Sequence, residues 1–321
     1  FIPLTNACRN RCAYCGFRSD EPQIMEREEV RGLLKSGKEH SCKEALFTFG
    51  ERPEAYPEIK EKLEDWGYST VIDYLYDLCL DAIELGLLPH SNPGSISRSQ
   101  LKTLKEVNAS MGLMLESASE RLCQKGMPHE KSPGKAPKVR LKVLKEAGRL
   151  EIPFTTGLLI GIGETDDEIK DALYSIRKIH DRYGHIQELI IQNFRPKPDT
   201  LMANHPEPPL SRIISALKVA KELFPDEGLQ VPPNLNPGRE GVFLLNGAND
   251  FGGISSVTPD FVNPQDKWPS EEHLRNVAHK CGFVLRERLP VYPRFIELVP
   301  ERLKGIVDTY VDKDGLVNAS G

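Results

Sequence analysis

Apolar and polar positions along this chain follow two rhythms. Short apolar runs alternate with longer stretches in which apolar residues recur every three or four positions, the period of a helix with one buried face. The clearest such stretch is Ser69–Leu85, where Val71, Leu75, Leu78, Ala82 and Leu85 form one stripe and Gly86 stands where a C-terminal cap belongs. The same spacing predicts helices over Met25–Lys38, Ser97–Val107 with Ser97 as N-cap, Val139–Ala147, Ser211–Phe224 and Ser270–Lys280. Another is predicted over Asp166–Tyr183, capped by Thr165 and acidic in its first turn. Between them, strands are predicted at Phe1–Leu4, Glu44–Phe49, Leu87–Gly94 with its turn, Ser110–Leu115, Phe154–Ile160 and Glu188–Asn193. Leu229–Val231 is expected as a seventh strand and Phe251–Val257 as an eighth, with Phe283–Arg286 outside the sheet.

Strand and helix alternating in this way imply a parallel sheet with crossover helices. The expected class is α/β, a TIM-type (β/α) barrel with outer helices. One domain over residues 1–321 is the economical reading: a regular core to residue 195, then a proline-rich loop and segments that complete the barrel and extend it. In such barrels the active site lies at the C-terminal ends of the strands. Those ends carry Cys8/Cys12/Cys15, Gly50-Glu51-Arg52, His90/Asn92, Glu116, Gly161-Gly163-Glu164 and Gln192/Asn193/Arg195.

Composition narrows the classes. A net charge of −5 argues against a general nucleic-acid-binding face. The most basic segment, Lys125 to Lys138, is rich in Pro and Gly and is expected to be a solvated loop. No apolar run reaches the roughly 20 residues of a membrane span, and no secretory leader is visible, so no membrane partner is expected. The chain opens at Phe1 and is expected to have been trimmed upstream. Three of its seven cysteines are bunched, while Cys42, Cys79, Cys123 and Cys281 stand apart. That pattern is no disulfide framework and points to a reducing cytoplasm.

The bunched thiols are Cys8, Cys12 and Cys15, spaced C-x3-C-x2-C with Tyr14 before the third. Thiolates suit zinc, copper(I) or iron–sulfur sites. Zinc knuckles usually come as paired blocks giving four protein ligands, and no second block exists here. Three ligands on one loop suggest a cluster with one iron left for a small molecule. A zinc site completed by a distant His or Cys, and metal-free thiols, remain alternatives.

This spacing resembles the signature of the radical S-adenosylmethionine (SAM) enzymes, whose loop holds a [4Fe–4S] cluster with SAM on the open iron. The resemblance implies that the cluster's electron cleaves SAM to a 5′-deoxyadenosyl radical, with an external electron donor upstream. It places residues 1–195 as the cluster- and SAM-binding core. Phe49-Gly50-Glu51 partly matches the family's Gly-Gly-Glu turn, whose backbone meets the SAM amino group. Glu116 falls where relatives carry a polar residue near the SAM ribose or amino group, and Arg140 where some aim a guanidinium at its carboxylate. Gly157–Glu164 resembles the stretch that abuts adenine, which brings in Gly161, and Tyr14 would pack beside the same ring. Asn193, ending the following strand, joins the cofactor side. The bland readings are a structural turn for Gly50-Glu51, a surface arginine and a core tyrosine.

Longer strings, among them Phe47-Thr48-Phe49-Gly50-Glu51-Arg52-Pro53-Glu54, His90-Ser91-Asn92-Pro93-Gly94 and Ile191-Gln192-Asn193-Phe194-Arg195-Pro196-Lys197-Pro198, resemble one subfamily, the 7,8-didemethyl-8-hydroxy-5-deazariboflavin synthases. Departures include Asp199, where a glycine is common, and Phe251 and Ser256. The resemblance implies a small-molecule substrate, a tyrosine-derived hydroxybenzyl adduct of 5-amino-6-(D-ribitylamino)uracil made by a partner radical SAM subunit or fused module. Hydrogen abstraction, ring closure and ammonia release would follow. Candidate groups for the uracil and ribityl parts are Asn92, Thr155, Gln192, Asn234, Asn236 and Asp250; no catalytic acid or base is assigned. A sister radical SAM enzyme and a non-catalytic zinc module are the rival readings.

Overall fold

A computed structural model describes residues 1–318 and shows six parallel strands in one sheet, ordered as they occur in the chain. These are β1 (Glu44–Thr48), β2 (Leu88–Asn92), β3 (Ser110–Gly112), β4 (Phe154–Ile160), β5 (Ile186–Asn193) and β6 (Gly228–Gln230). Helix α1 (Arg27–Glu39) precedes the sheet, and α2 (Pro57–Asp65) and α3 (Val71–Glu84) join β1 to β2. One helix spans each later crossover: α4 (Arg98–Lys105), α5 (Pro137–Arg149), α6 (Asp166–Tyr183) and α7 (Leu210–Leu223). After β6 come α8 (Glu240–Leu245), α9 (Glu271–Lys280) and α10 (Glu301–Tyr310). Parallel neighbours joined by helices give the TIM-type architecture.

The period of two along each strand divides the molecule into layers. Ala45 and Phe47 of β1, Leu158 and Ile160 of β4, and Leu189 and Ile191 of β5 point outward into the main core beneath the helices. The residues between them, such as Leu46, Thr48, Leu159, Ile190 and Gln192, face a central cavity. Ser97, Thr165 and Ser270 cap their helices by accepting the backbone N–H three residues on. Gly86 follows α3 at φ +73°, as a helix-ending glycine does.

Three strand expectations change. Phe1–Leu4 forms only one parallel bridge, Ile2 with Phe47, because the Leu4 N–H turns back to Ile2 O at 3.0 Å and Thr5 pairs with Ile24. Ser110–Leu115 stops as a regular strand at Gly112, although Leu113 N–H still reaches Thr155 O; Glu116 then takes φ +65°. Phe251–Val257 is irregular, and the segment touches the sheet at one bridge between Asp250 and Gln230. The two edges of the sheet are therefore covered by non-strand segments, and these meet each other, with the rings of Phe1 and Phe261 5.5 Å apart. Helices α2, α8 and α10 were not foreseen; α2 carries its own signal, a proline in its first turn.

Phe283 and Val284 lie exposed, and the chain beyond them returns to the sheet. Leu289, Val291, Phe295, Val299, Leu303 and Val307 pack with Leu88 and Ala109 under the N-terminal ends of β2 and β3. The Pro290 carbonyl accepts from Ser110 Oγ at 2.6 Å and Gln187 Nε2 at 3.0 Å. The C-terminal segment thus plugs the end of the barrel opposite the cysteine loop.

Candidate active site

Cys8, Cys12 and Cys15 line a single cavity of about 400 Å³ at the C-terminal ends of the strands, within the range of small-molecule sites. The loop is held from both flanks. Arg9 N–H donates to Glu51 O at 2.9 Å, Arg11 N–H to Lys131 O at 3.0 Å and Ala13 N–H to Pro128 O at 2.9 Å. The Glu51 N–H donates to Cys8 Sγ at 3.2 Å. A side chain on Gly50 is excluded, because its Cβ would stand 1.9 Å from Ala7 O. These bonds correct the expectation for residues 125–138. His129, Ser132 and Gly134 are buried, so that segment is a clamp on the cysteine loop, while Lys125, Lys131 and Lys138 stay exposed.

Burial pushes the Cys8 and Cys12 thiols up, with Lys135 pulling Cys12 the other way. Thiols in this setting ionise when a metal centre stabilises the thiolate. Among the described residues no three His, Cys, Asp or Glu side chains converge as ligands of one ion.

Glu51 and Arg140 stand side by side against the loop. The Glu51 carboxylate, 3% exposed, accepts from Arg9 Nε at 2.8 Å and Ser95 N–H at 3.0 Å, with Arg140 Nη2 at 3.7 Å. Burial pushes this carboxyl up, but Arg140, Ser95 and Arg9 outweigh it and hold it below the usual range. Arg140 also donates from Nε to Gly134 O at 3.0 Å and from Nη1 to Met114 O. Glu116 is paired with Lys135. Burial again pushes its carboxyl up, and Lys135 and Arg140 overrule it. Tyr14 Oη and His129 Nε2 lie 3.0 Å apart, and the Tyr14 ring packs with Leu159, Phe194 and Met202.

The remaining sequence candidates divide into two groups. Asn92, Thr155, Gln192 and Asn193 line the cavity. Gly161, Asn234, Asn236 and Asp250 stand behind its wall. Gly161, at φ +100°, donates its N–H to Glu164 Oε1 at 2.7 Å, which fixes the turn after β4. Asn236 donates to Asn193 Oδ1 at 2.6 Å, and Asn234 to Asp260 Oδ2 at 2.9 Å. Asp250 accepts from Arg288 Nε at 2.6 Å and Tyr292 Oη at 2.7 Å. The sequence reading missed Glu44, Lys135, Glu188, Lys197 and Arg288, which all line the cavity, as does His90, which it placed at a strand end. Glu44 and Glu188 had a signal: each is a charged residue in phase with the inward positions of an apolar strand. Arg288 had none.

Comparison with known proteins gives these residues a context. Residues 2–174 match the Radical SAM superfamily. The chain is 52% identical over 315 residues to a 7,8-didemethyl-8-hydroxy-5-deazariboflavin synthase of Methanothermobacter thermautotrophicus, covering 97% of this chain and 96% of that one. The protein of the same name from Archaeoglobus fulgidus is 50% identical, with 98% and 96% covered. The chain belongs to this synthase family, within the radical SAM superfamily. Among solved structures, the FeFe-hydrogenase maturase HydG from Carboxydothermus hydrogenoformans shares the fold at TM-score 0.69 and 16% identity, covering 96% of this chain and 76% of that one. Methylornithine synthase (PylB) does so at 0.62 and 20%, covering 88% and 80%.

Radical SAM enzymes use a [4Fe–4S] cluster and SAM, and the residues here fit both. Three thiols share one cavity wall, and a backbone N–H already points at one sulfur, the kind of contact that tunes cluster thiolates. Cations and carboxylates lie together beside them, in Arg140, Lys135, Glu51 and Glu116, as a zwitterionic ligand requires. Among the described residues of this radical SAM chain no helix is long and apolar enough to cross a membrane.

Proposed function

We propose that this chain closes the third ring of the deazaflavin chromophore. Its substrate is the hydroxybenzyl adduct of 5-amino-6-(D-ribitylamino)uracil, and ammonia is released. The observation that carries the reading is identity of about half the residues over nearly the whole chain to synthases named for that product. When bound, the cluster and SAM supply one-electron chemistry that creates a hydrogen-abstracting carbon radical. The protein's share is to hold, orient and shield.

Cys8, Cys12 and Cys15 hold the cluster. Tyr14, the Gly50-Glu51 backbone, Glu116, Arg140 and Asn193 face SAM, with Gly161 acting through its turn. Glu51 serves chiefly as a brace, since its carboxylate is committed to Arg9 and Ser95. Leu46, Leu113, Met114, Leu159 and Ile190 line the middle of the cavity and exclude water from the reacting centre. Asn92, Thr155 and Gln192 meet the substrate directly; Asn234, Asn236 and Asp250 support the wall. The chain acts as one unit, with residues from 196 onward completing the barrel. A partner radical SAM subunit or fused module supplies the adduct, and an external donor supplies electrons. A reducing cytoplasm suits its seven unpaired cysteines.

Anaerobic reconstitution with iron, sulfide, a reductant and SAM, followed by addition of the adduct, is expected to give the fluorescent deazaflavin together with 5′-deoxyadenosine. If 5′-deoxyadenosine forms without deazaflavin, the substrate assignment fails while the radical SAM chemistry stands.

A further inference from the structure

Polar groups at the inner end of the cavity, away from the cysteine loop, have no part in cofactor binding. Glu44 is the first residue of β1, and Glu188 lies early in β5; both line the cavity floor together with Arg288 and His90. Arg288 is largely spent on Asp250, at 2.6 and 3.0 Å, and reaches Glu188 Oε1 with one further N–H at 2.9 Å. Thr155 Oγ1 donates to the other Glu188 oxygen at 2.9 Å. Glu44 has no such company. Among the described residues its carboxyl meets no hydrogen-bond donor; burial pushes it up, and the Arg288 charge is the main opposing influence. A carboxyl kept away from bulk water without a partner is costly, and its position in the cavity wall leaves a ligand to supply the missing bond.

The floor offers acceptors. Ser110 Oγ donates to Pro290 O at 2.6 Å and lies 2.7 Å from His90 Nδ1. The His90 ring also bonds the Asn92 side chain. Glu44 and Glu188 together call for a ligand rich in O–H donors, and a pyrimidine ring carries few. The aromatic side chains of the cavity lie elsewhere. Tyr14, Phe17, Phe49, Phe194 and Trp268 all come from loops beyond the strands, the region where flat rings can be sandwiched.

We propose that the inner end is a polyol subsite, that Glu44 is its specificity-determining residue, and that the substrate lies with its ribityl chain down the barrel axis and its rings below the cysteine loop. This rests on the reading that the substrate carries a ribityl chain.

The test is fluorescence titration of the reconstituted protein with the deazaflavin product and with an analogue bearing methyl in place of ribityl. The wild type is expected to prefer the ribityl compound by about ten-fold or more, the scale of a few good hydrogen bonds. Glu44→Ala is expected to lose most of that preference and Glu44→Gln part of it, with affinity for the methyl analogue unchanged. Because Glu44 has no protein partner, both variants are expected to melt at or above the wild-type temperature, which separates lost recognition from lost folding. A ribityl preference that survives in both variants, or is absent from the wild type, overturns the inference and leaves the synthase reading standing. A wild type that makes 5′-deoxyadenosine but binds neither compound overturns both.

Discussion

Glu116 and Asp199 both hold a left-handed backbone, at φ +65° and +63°, for different reasons. Asp199 sits in the loop after β5, and aspartate is among the residues that tolerate this conformation best. Glu116 is bulkier, and its strain ends β3's extension while turning the carboxylate toward Lys135 at the cavity. Gly50 carries the sharper constraint. Gly50→Ala puts a methyl group into the Ala7 carbonyl, so the cysteine loop must shift. Its expected outcome is a lower melting temperature and a marked loss of iron bound after reconstitution, measured by metal analysis; full iron incorporation would refute the stated role. The three cysteines and Tyr14 were legible in the sequence because their spacing is local. The partners that hold them, His129 and Gly134, lie more than a hundred residues away and left no local trace.

The elements were most legible where local chemistry and packing agree. Thr165 caps α6 in a full capping box with Glu168, and Ile169, Leu173 and Ile176 bury the face that follows. Thr165→Ala is expected to cost about 1 kcal/mol, read as a shift in the denaturant midpoint, with turnover unchanged because the cap faces away from the cavity. The Phe251–Val257 expectation failed for a physical reason. Gly252 takes φ +74° and packs against Gln230, so the chain bends where a strand would run straight. Phe1–Leu4 failed at Leu4, whose N–H turns back to Ile2 O. At Phe1–Leu4 the apolar run marked burial rather than a ladder, a distinction that periodicity cannot make over so few residues.

Across the whole molecule, titration reflects burial. His90 and His129 are held down to about 4 and His185 to about 3, mainly by burial, against an ordinary value of 6.5. Between these limits the unfolded chain binds protons that the folded chain refuses, so stability falls as pH drops below about 6.5 toward 4. Each such histidine adds up to about 1.4 kcal/mol per pH unit. Glu51, Glu116 and Asp250, held low by their cationic neighbours, add to the loss at lower pH. Glu188, pushed up by burial, works in the opposite sense. Denaturant midpoints measured at pH 7 and pH 5 are expected to fall, and to fall less in His90→Gln; an equal drop would exclude His90 as a contributor. The barrel class was legible in the alternation of elements, whereas the floor of the cavity was not. Arg288 arrives from a segment a hundred residues beyond Glu188, and only folding brings them together.

Where the first and last strands approach each other, the wall is closed by irregular chain and one pair of aromatic rings rather than by a backbone ladder. Such a seam unzips at lower cost than the seven paired positions of β4 with β5. Deuterium uptake is expected to be fastest at residues 1–5 and 249–262 and slowest along β4 and β5, with bound product slowing the former most. The barrel would then admit its guest by parting like a coat along its one unsewn edge.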